Sequence, residues 1–372
     1  MAARFHDSSS LNAHLLLFFK AQTMSEPEIF EQKAPRQSSH INSMQDLLAT
    51  LTGFWVSQSV YAAVELGIAD LLKDGPKHVS EISAVTEADS GALYRLMRSL
   101  ASVGLFTETK RECFEITSVG TCLQADHPNS LRTTALLLGR EQFNPWADIV
   151  YSIRTGKCAY KYRKGMSFFK HLEQDDNAAT TFNEAMTDYI RNVGFFVAES
   201  YDFSRYSTIV DVGSGHGILS SSILDRNPKL KSILFDTPNV IESAKEYTSG
   251  DKTVGRLEFI SGDFFESVPQ GGDIYILSNI VHNWNDERST KILRNCYDAM
   301  VENGRLLLVE VVLQAEEQPL FCDFLDLHML VMLGGKERTE DEYKNLISSS
   351  GFVLKSIIET NFYPSIIECV RV

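Results

Sequence analysis

The chain has little of what several functional classes require. Its six cysteines, Cys113, Cys122, Cys158, Cys296, Cys322 and Cys369, are scattered over 372 residues with no CxxC pair and no histidine cluster beside them. Such spacing offers neither a disulfide framework nor a zinc site, and it reads as free thiols in a reducing, cytoplasmic compartment. Positive charge is also short: 35 Lys and Arg stand against 49 Asp and Glu, a formal net charge of −14. A nucleic-acid backbone or an anionic membrane would favour a basic face, so neither is an expected partner. No apolar run reaches the roughly 18 residues of a membrane span. The segment "LNAHLLLFF", Leu11 to Phe19, faintly resembles a targeting signal, but His14 breaks it and Lys20 follows in place of a small-residue cleavage site. A start at Met24 is the blander reading.

With 44% hydrophobic residues, the chain has enough apolar material for proper cores. Residues 1–43 are polar and dotted with Pro and Ser, which predicts a disordered or extended segment. Residues 44–135 begin with apolar helices, Met44 to about Leu72, that carry hydrophobic positions on more than one face and therefore call for a second subunit. Next comes a pattern of helix, turn, helix and two short strands, with Ser80 and either Asp89 or Ser90 as caps and Gly104 as a left-handed stop. That winged-helix-like order raises DNA binding. Charge argues against it: Ile41 to Ala135 holds seven Lys/Arg and eleven Asp/Glu, whereas a groove reader is basic. Dimer packing is the better reading.

Residues 136–200 are helical and rich in aromatics and methionine, a candidate pocket region for a flat ligand. From 201 to 372, short aliphatic runs alternate with helix-length segments, the α/β signature of a parallel sheet covered on both faces. "FVLKSIIET" and "PSIIECVRV" predict a terminal hairpin.

One turn carries chemistry. "IVDVGSGHGILSSSIL" reads as a strand, a glycine turn and a helix start. Gly213, Gly215 and Gly217 allow a sharp backbone turn and leave room for a ligand. Asp236, ending the next strand some 20 residues on, is placed to bind a ribose diol. After the third strand, Asp263 can accept from an adenine amino group while Phe264 packs on the ring. The glycine spacing is GxGxG rather than GxGxxG, and no basic side chain stands near for a pyrophosphate. S-adenosylmethionine, which has no phosphate, suits this acid-lined site better than NAD.

Taken together, "DVGSGHG", "FDTPNVI", "GDFFESVP", "IVHNWNDERSTKILRNC" and "GGKERTEDEY…SSSGF" resemble the S-adenosylmethionine-dependent O-methyltransferases of the caffeate and acetylserotonin (hydroxyindole) type, in their bacterial-like branch. The resemblance runs from Met44 to the C-terminus. It implies a class I methyltransferase domain, a Rossmann-like seven-stranded sheet, preceded by a mostly helical, winged-helix-like dimerisation domain that forms a homodimer. It also implies cofactor contacts from Gly213, Asp236, Asp263, Phe264 and Ser278, a second carboxylate beside the base at Glu337, and substrate positions at Phe182, Met186, Tyr189, His328, Met329 and Met332. Two departures stand out: Ser278 replaces a lysine common in plant members, and Asn283 replaces an aspartate.

The chemistry centres on His282. A phenol with a pKa near 10 is a poor nucleophile while protonated, and a histidine with a pKa near 6.5 can take its proton at neutral pH, for about 10²–10⁴ in rate. An oxygen-ligated metal is not expected, because His282 can do the work of one on an acceptor hydroxyl. Glu310, at the end of the next strand, is costly to bury alone; hydrogen-bonded to the imidazole, it would fix the tautomer. Trp284 is expected to pack behind His282 near the cofactor, and Asn283 to help hold the substrate. The expected function is methyl transfer to a hydroxyl of a small aromatic or polyketide-type metabolite. The rivals are a non-methylating reaction on the same fold (decarboxylation or hydroxylation), a winged-helix ligand-sensing regulator, and an NAD dehydrogenase.

Overall fold

A computed structural model describes residues 41–314 and 319–371. The targeting-like run, the alternative start at Met24 and residues 1–40 of the segment expected to be disordered or extended fall outside these; its last residues, 41–43, are exposed and end in Ser43, which caps the first described helix. Contact density divides the chain into two units, one ending at Phe143 and one beginning at Asn144. The helices of 144–200 therefore group with the sheet that follows them.

The first unit opens with helices Met44–Leu51 and Gly53–Glu65. Helices Val79–Thr86 and Ser90–Ser102 follow, together with a three-stranded antiparallel sheet of β1 (Lys77–His78), β2 (Phe106–Lys110) and β3 (Cys113–Ile116) in the order β1-β3-β2. Ile68, Ile82, Met97, Leu100 and Phe114 form its core. The cap of the first of these helices is not Ser80. The chain leaves β1 directly into the helix, so His78 takes the cap, its Nδ1 accepting from the Ser80 N–H at 3.1 Å while Glu81 accepts the His78 N–H at 2.8 Å. Asp89 caps the second helix, accepting from the Ala92 N–H at 2.8 Å. Gly104 adopts φ +84° just beyond its end.

Met44–Glu65 is apolar but mostly uncovered: Met44 is 84% exposed, Leu51 64% and Trp55 62%. By length and composition this 22-residue stretch, of mean hydropathy 1.3, is long and apolar enough to cross a membrane. The count of uninterrupted apolar residues did not show this, because polar residues such as Asp46 and Gln58 punctuate it.

The second unit is built on a seven-stranded sheet. Its strands are β4 (Thr208–Val212), β5 (Lys231–Asp236), β6 (Leu257–Ser261), β7 (Ile274–Ser278), β8 (Arg305–Glu310), β11 (Phe352–Ile358) and β12 (Ser365–Arg371). The short strands β9 (Val312–Leu313) and β10 (Arg338–Thr339) pair separately, in parallel. The large sheet runs in the order β11-β12-β8-β7-β4-β5-β6. β12 is antiparallel to both of its neighbours and the others are parallel. This is the class I methyltransferase sheet, with the expected terminal hairpin. Val210, Ile276 and Leu308 are fully buried, which is why these strands read as continuous aliphatic runs. After β4 the chain builds outward through β5 and β6, then returns to the other side of β4 with β7. The order reverses there, and that reversal opens a crevice at the carboxyl ends of the strands.

Candidate active site

The glycine turn follows β4. Gly213, Gly215 and Gly217 all have positive φ, at +76°, +53° and +76°. A Cβ at Gly213 would come within 2.4 Å of Ile280 Cδ1, and one at Gly217 within 2.4 Å of Leu234 Cδ1, whereas Gly215 faces open space. The buried Ser214 hydroxyl has no partner among the described residues. Tight glycines around one open position and an unpaired donor fit a ligand that touches the main chain. Asp236, at the end of β5, accepts from the Gly215 N–H at 3.0 Å and the Thr237 N–H at 2.7 Å. The carboxylate thus closes the turn while keeping part of its surface open. Burial raises its pKa, and these two amides oppose the rise. Asp211 by contrast is 2% exposed and bonded to the Ser220 hydroxyl at 2.7 Å, so it anchors the turn from behind.

Asp263 is exposed after β6, its Oδ1 accepting from the Phe265 N–H at 2.8 Å. Phe264 packs edge-on against Phe265 and Trp284, with centroids 4.9 and 6.3 Å away. Ser278 ends β7 and accepts from the Asn279 side chain at 3.2 Å. The five expected cofactor residues thus occupy the carboxyl ends of four adjacent parallel strands. The donors and acceptors fit a ligand with a ribose, an adenine and an amino-acid tail.

His282 lies in the turn after β7 and is 7% exposed. Its Nδ1 stands 2.7 Å from Glu337 Oε1 and 3.7 Å from Glu310 Oε2. The hydrogen-bond partner is therefore Glu337, not the expected Glu310. Glu310 is held by the backbone: its Oε1 accepts from the N–H groups of Ile280 at 3.0 Å and Val281 at 2.7 Å. No partner for His282 Nε2 occurs among the described residues. Burial pulls the imidazole pKa down, but the Glu337 and Glu310 carboxylates outweigh it and lift it to about 9. This departs from the ordinary value near 6.5 assumed from the sequence. Burial also raises Glu310, with His282 opposing.

The loop around His282 is braced by residues whose role the sequence did not reveal. Arg338, with no exposed surface, donates to Asp286 Oδ1 from Nε and NH2 at 3.0 and 2.8 Å. It also donates to the carbonyls of Val281 at 3.1 Å and Trp284 at 2.9 Å. The Lys336 N–H donates to the His282 carbonyl at 2.9 Å. Gly335 lies so close to that carbonyl that a Cβ there would be 2.0 Å away, which explains a glycine in "GGKERT". The only sequence signal was an arginine beside a functional glutamate, which by itself says nothing about burial.

Trp284 stacks on Phe169 at 5.8 Å and meets Phe265 edge-on at 4.9 Å, and the Arg288 guanidinium lies 4.2 Å over its ring. The Asn283 amide donates to the Asn279 carbonyl at 3.0 Å, which ties the turn after β7. Of the expected substrate positions, Phe182 packs edge-on against Phe168 at 5.3 Å, and Met186 on the same helix is half-buried. The Tyr189 hydroxyl is buried without a partner among the described residues. Burial, with the Glu337 and Glu310 charges adding, raises its pKa. His328 accepts a hydrogen bond from the Trp146 indole at 2.9 Å. Met329 is 6% exposed and Met332 1%, so Met332 sits in packed core and not on an open wall.

Comparison with known proteins adds independent findings. The O-methyltransferase domain family matches residues 146–353, and the O-methyltransferase dimerisation domain family matches residues 48–126. The chain is 44% identical to the phenazine O-methyltransferase of Lysobacter antibioticus, over 87% of this chain and 94% of that protein. It is 35% identical to the 3-amino-4-hydroxybenzoate 4-O-methyltransferase of Streptomyces cremeus, over 84% of this chain and 86% of that one. Human N-acetylserotonin methyltransferase, solved in complex with S-adenosylmethionine, superposes with a TM-score of 0.83 at 27% identity, covering 90% of this chain and 99% of that chain.

Proposed function

The chain belongs to the S-adenosylmethionine-dependent O-methyltransferase family, and within it we propose that His282 is the general base that deprotonates the acceptor hydroxyl. The observation that carries this reading is the 2.7 Å contact between His282 Nδ1 and Glu337, with no partner for Nε2 among the described residues. A carboxylate accepting from Nδ1–H selects the tautomer whose Nε2 lone pair is available, and it stabilises the imidazolium formed by proton transfer. Glu310 adds a second negative charge 3.7 Å from Nδ1 while its other oxygen stays anchored to the turn. The pair therefore makes a stronger base than free histidine, closer in pKa to a phenol.

The bound cofactor supplies the methyl group from its sulfonium. Gly213, Asp236, Asp263, Phe264 and Ser278 would hold it, with Asp236 on the ribose hydroxyls. Phe182, Met186 and Tyr189 would flank the acceptor, and Arg338 and Gly335 keep the base at a fixed depth. Relatives named for phenazine and 3-amino-4-hydroxybenzoate support a flat aromatic acceptor carrying a hydroxyl. The scattered free thiols support a cytoplasmic location. An intact His–Glu pair disfavours a non-methylating reaction, which has no use for a phenol base.

The test is transfer of labelled methyl from S-adenosylmethionine to a panel of phenols. The variant His282→Ala is expected to lose about 10²–10⁴ in kcat while S-adenosylmethionine affinity, read by calorimetry, stays nearly unchanged. Full activity of that variant on an ordinary phenol would overturn the assignment.

A further inference from the structure

His328 sits on helix Leu320–Met332, which reaches the catalytic loop through its C-terminal turn. The Gly334 and Gly335 N–H groups donate to the Met329 carbonyl at 2.9 and 3.2 Å, and the Glu337 N–H donates to Asp326 Oδ1 at 2.9 Å. The helix that carries His328 is thereby joined to the residue that orients His282.

The state of the His328 ring follows from its partner. An indole N–H can only donate. Because Trp146 Nε1 donates to Nδ1 at 2.9 Å, Nδ1 must carry a lone pair and the single ring proton must be on Nε2. The Trp146 ring also stacks nearly parallel to the imidazole, at 6.0 Å and 20°, so one side chain holds both its tautomer and its plane. Burial, with the charge on His282 adding, drives the His328 pKa down to about 4. The ring stays neutral while His282 beside it is driven the opposite way. Its Nε2–H has no acceptor among the described residues, yet part of the ring remains uncovered. The half-buried ring thus presents a neutral donor, fixed in tautomer by Trp146, to whatever occupies the space beside it, water or a ligand.

We propose that His328 selects acceptors that carry a hydrogen-bond-accepting atom beside the hydroxyl to be methylated, such as a carbonyl or carboxylate oxygen or an aromatic ring nitrogen, and that Trp146 is the positioning residue that fixes its donor. The inference rests on the methyltransferase reading of the same site and narrows its substrate class. A protonated histidine would not discriminate in this way, since it would also attract any anion. A neutral Nε2–H offers one short-range directional bond, which rewards an acceptor atom and leaves a bare aromatic edge without a partner. The phenolate product of the base step gains too, because an acceptor atom held by His328 cannot hold the phenol proton in an internal hydrogen bond.

The experiment pairs two phenols, one with an ortho carbonyl and the same ring without it, and compares kcat/KM in the wild type, His328→Leu, His328→Gln and Trp146→Phe. The wild type is expected to favour the carbonyl-bearing phenol by about 10- to 100-fold, the worth of one buried hydrogen bond. His328→Leu should collapse that ratio to within about threefold of unity, and His328→Gln, which keeps a side-chain donor, should restore part of it. Equal ratios in wild type and His328→Leu would overturn the proposal, and so would equal losses on both phenols. In parallel, nitrogen-15 shifts of labelled histidine should report a neutral His328 with its proton on Nε2 from pH 5 to 8, and a mixed tautomer in Trp146→Phe. A charged His328 at pH 7, or one protonated on Nδ1, overturns it as well. If the wild type transfers methyl to neither phenol, it is the phenol-methylating reading of the site that fails, and the tautomer still decides the state of His328.

Discussion

His282 Nδ1 lies 2.7 Å from Glu337 Oε1, while Glu310, at the end of the adjacent strand, comes only to 3.7 Å from the same nitrogen. One carboxylate therefore holds the imidazole proton, and the other raises the local negative potential from its seat on the Ile280 and Val281 amides. The two roles differ because β8 delivers Glu310 beneath the turn, whereas the loop leading into β10 brings Glu337 alongside the ring.

This arrangement moves the expected pH dependence. A histidine raised to about 9 is mostly protonated at neutral pH, so the fraction able to act as base grows as pH rises through that value. With an ordinary phenol, log(kcat/KM) is expected to climb with unit slope through pH 7–8 and level off near 9, rather than at 6–7 as free histidine would imply. Glu337→Gln removes the largest upward influence and leaves Glu310 alone to oppose burial, so the inflection should fall. An unchanged inflection in that variant would show that another group titrates.

Asp236 should govern cofactor affinity. Its carboxylate closes the glycine turn through the Gly215 N–H and keeps lone pairs for hydroxyls. Asp236→Asn retains much of the shape but loses the charge, so S-adenosylmethionine affinity is expected to drop roughly 10- to 100-fold, the worth of a charge-assisted bond. Calorimetry giving wild-type affinity would remove Asp236 from the site.

Leu48, Leu51, Phe54 and Trp55, all more than half exposed, lie within or beside the stretch matched by the dimerisation domain. A second copy covering them accounts for helices that are apolar yet bare, and obligate dimers use large apolar interfaces of this kind. Light scattering should give about twice the 41.8 kDa chain mass. Leu51→Asp with Trp55→Asp should shift the protein toward single chains or out of solution. A single-chain mass for the wild type at micromolar concentration would contradict the dimer.

Much of this was legible from residues alone, and the failures share a cause. The strands were readable because a buried parallel strand needs an aliphatic run, and the glycine turn because only glycine accepts φ +76° against Ile280 and Leu234. The partner of His282 was not, since choosing between Glu310 and Glu337 depends on where a strand end and a loop meet in space. Asn283 read as a substrate contact, and its bond to the Asn279 carbonyl was not legible, since it depends on how the turn after β7 folds back on itself. The raised pKa of His282 needed two carboxylates at known distances. Trp146 and His328, 182 residues apart, leave no trace of their bond in sequence order.

Metal removal separates this centre from oxygen-ligated metal catalysts. His282, Glu310 and Glu337 have the residue types of a cation site and lie within 4.8 Å of one another. A cation bound there would have to compete with the contact between His282 Nδ1 and Glu337 Oε1. Chelator treatment is expected to leave the methyl-transfer rate unchanged. A loss restored by a divalent cation would assign the cluster to metal instead.

Arg338 offers the sharpest check on whether the base is held by its loop. Its guanidinium is fully buried and forks between Asp286 Oδ1 and the carbonyls of Val281 and Trp284, which bracket His282 in sequence. Lysine keeps the charge but not the planar fork, so it can meet at most part of this set. Asp286 is 61% exposed, so the main loss is the bonds from the buried guanidinium to the two carbonyls, and Arg338→Lys should lower stability by about 1–3 kcal/mol in a denaturant titration. The surviving folded protein should bind S-adenosylmethionine almost normally, because the glycine turn and Asp236 lie on other strands. Its kcat should nonetheless fall, and its pH inflection should broaden, as the turn carrying His282 loosens against Glu337. A variant that is destabilised yet keeps wild-type kcat and pH profile would mean that Arg338 supports the fold alone, and that Lys336, Gly335 and the Glu310 amide bonds suffice to hold the base.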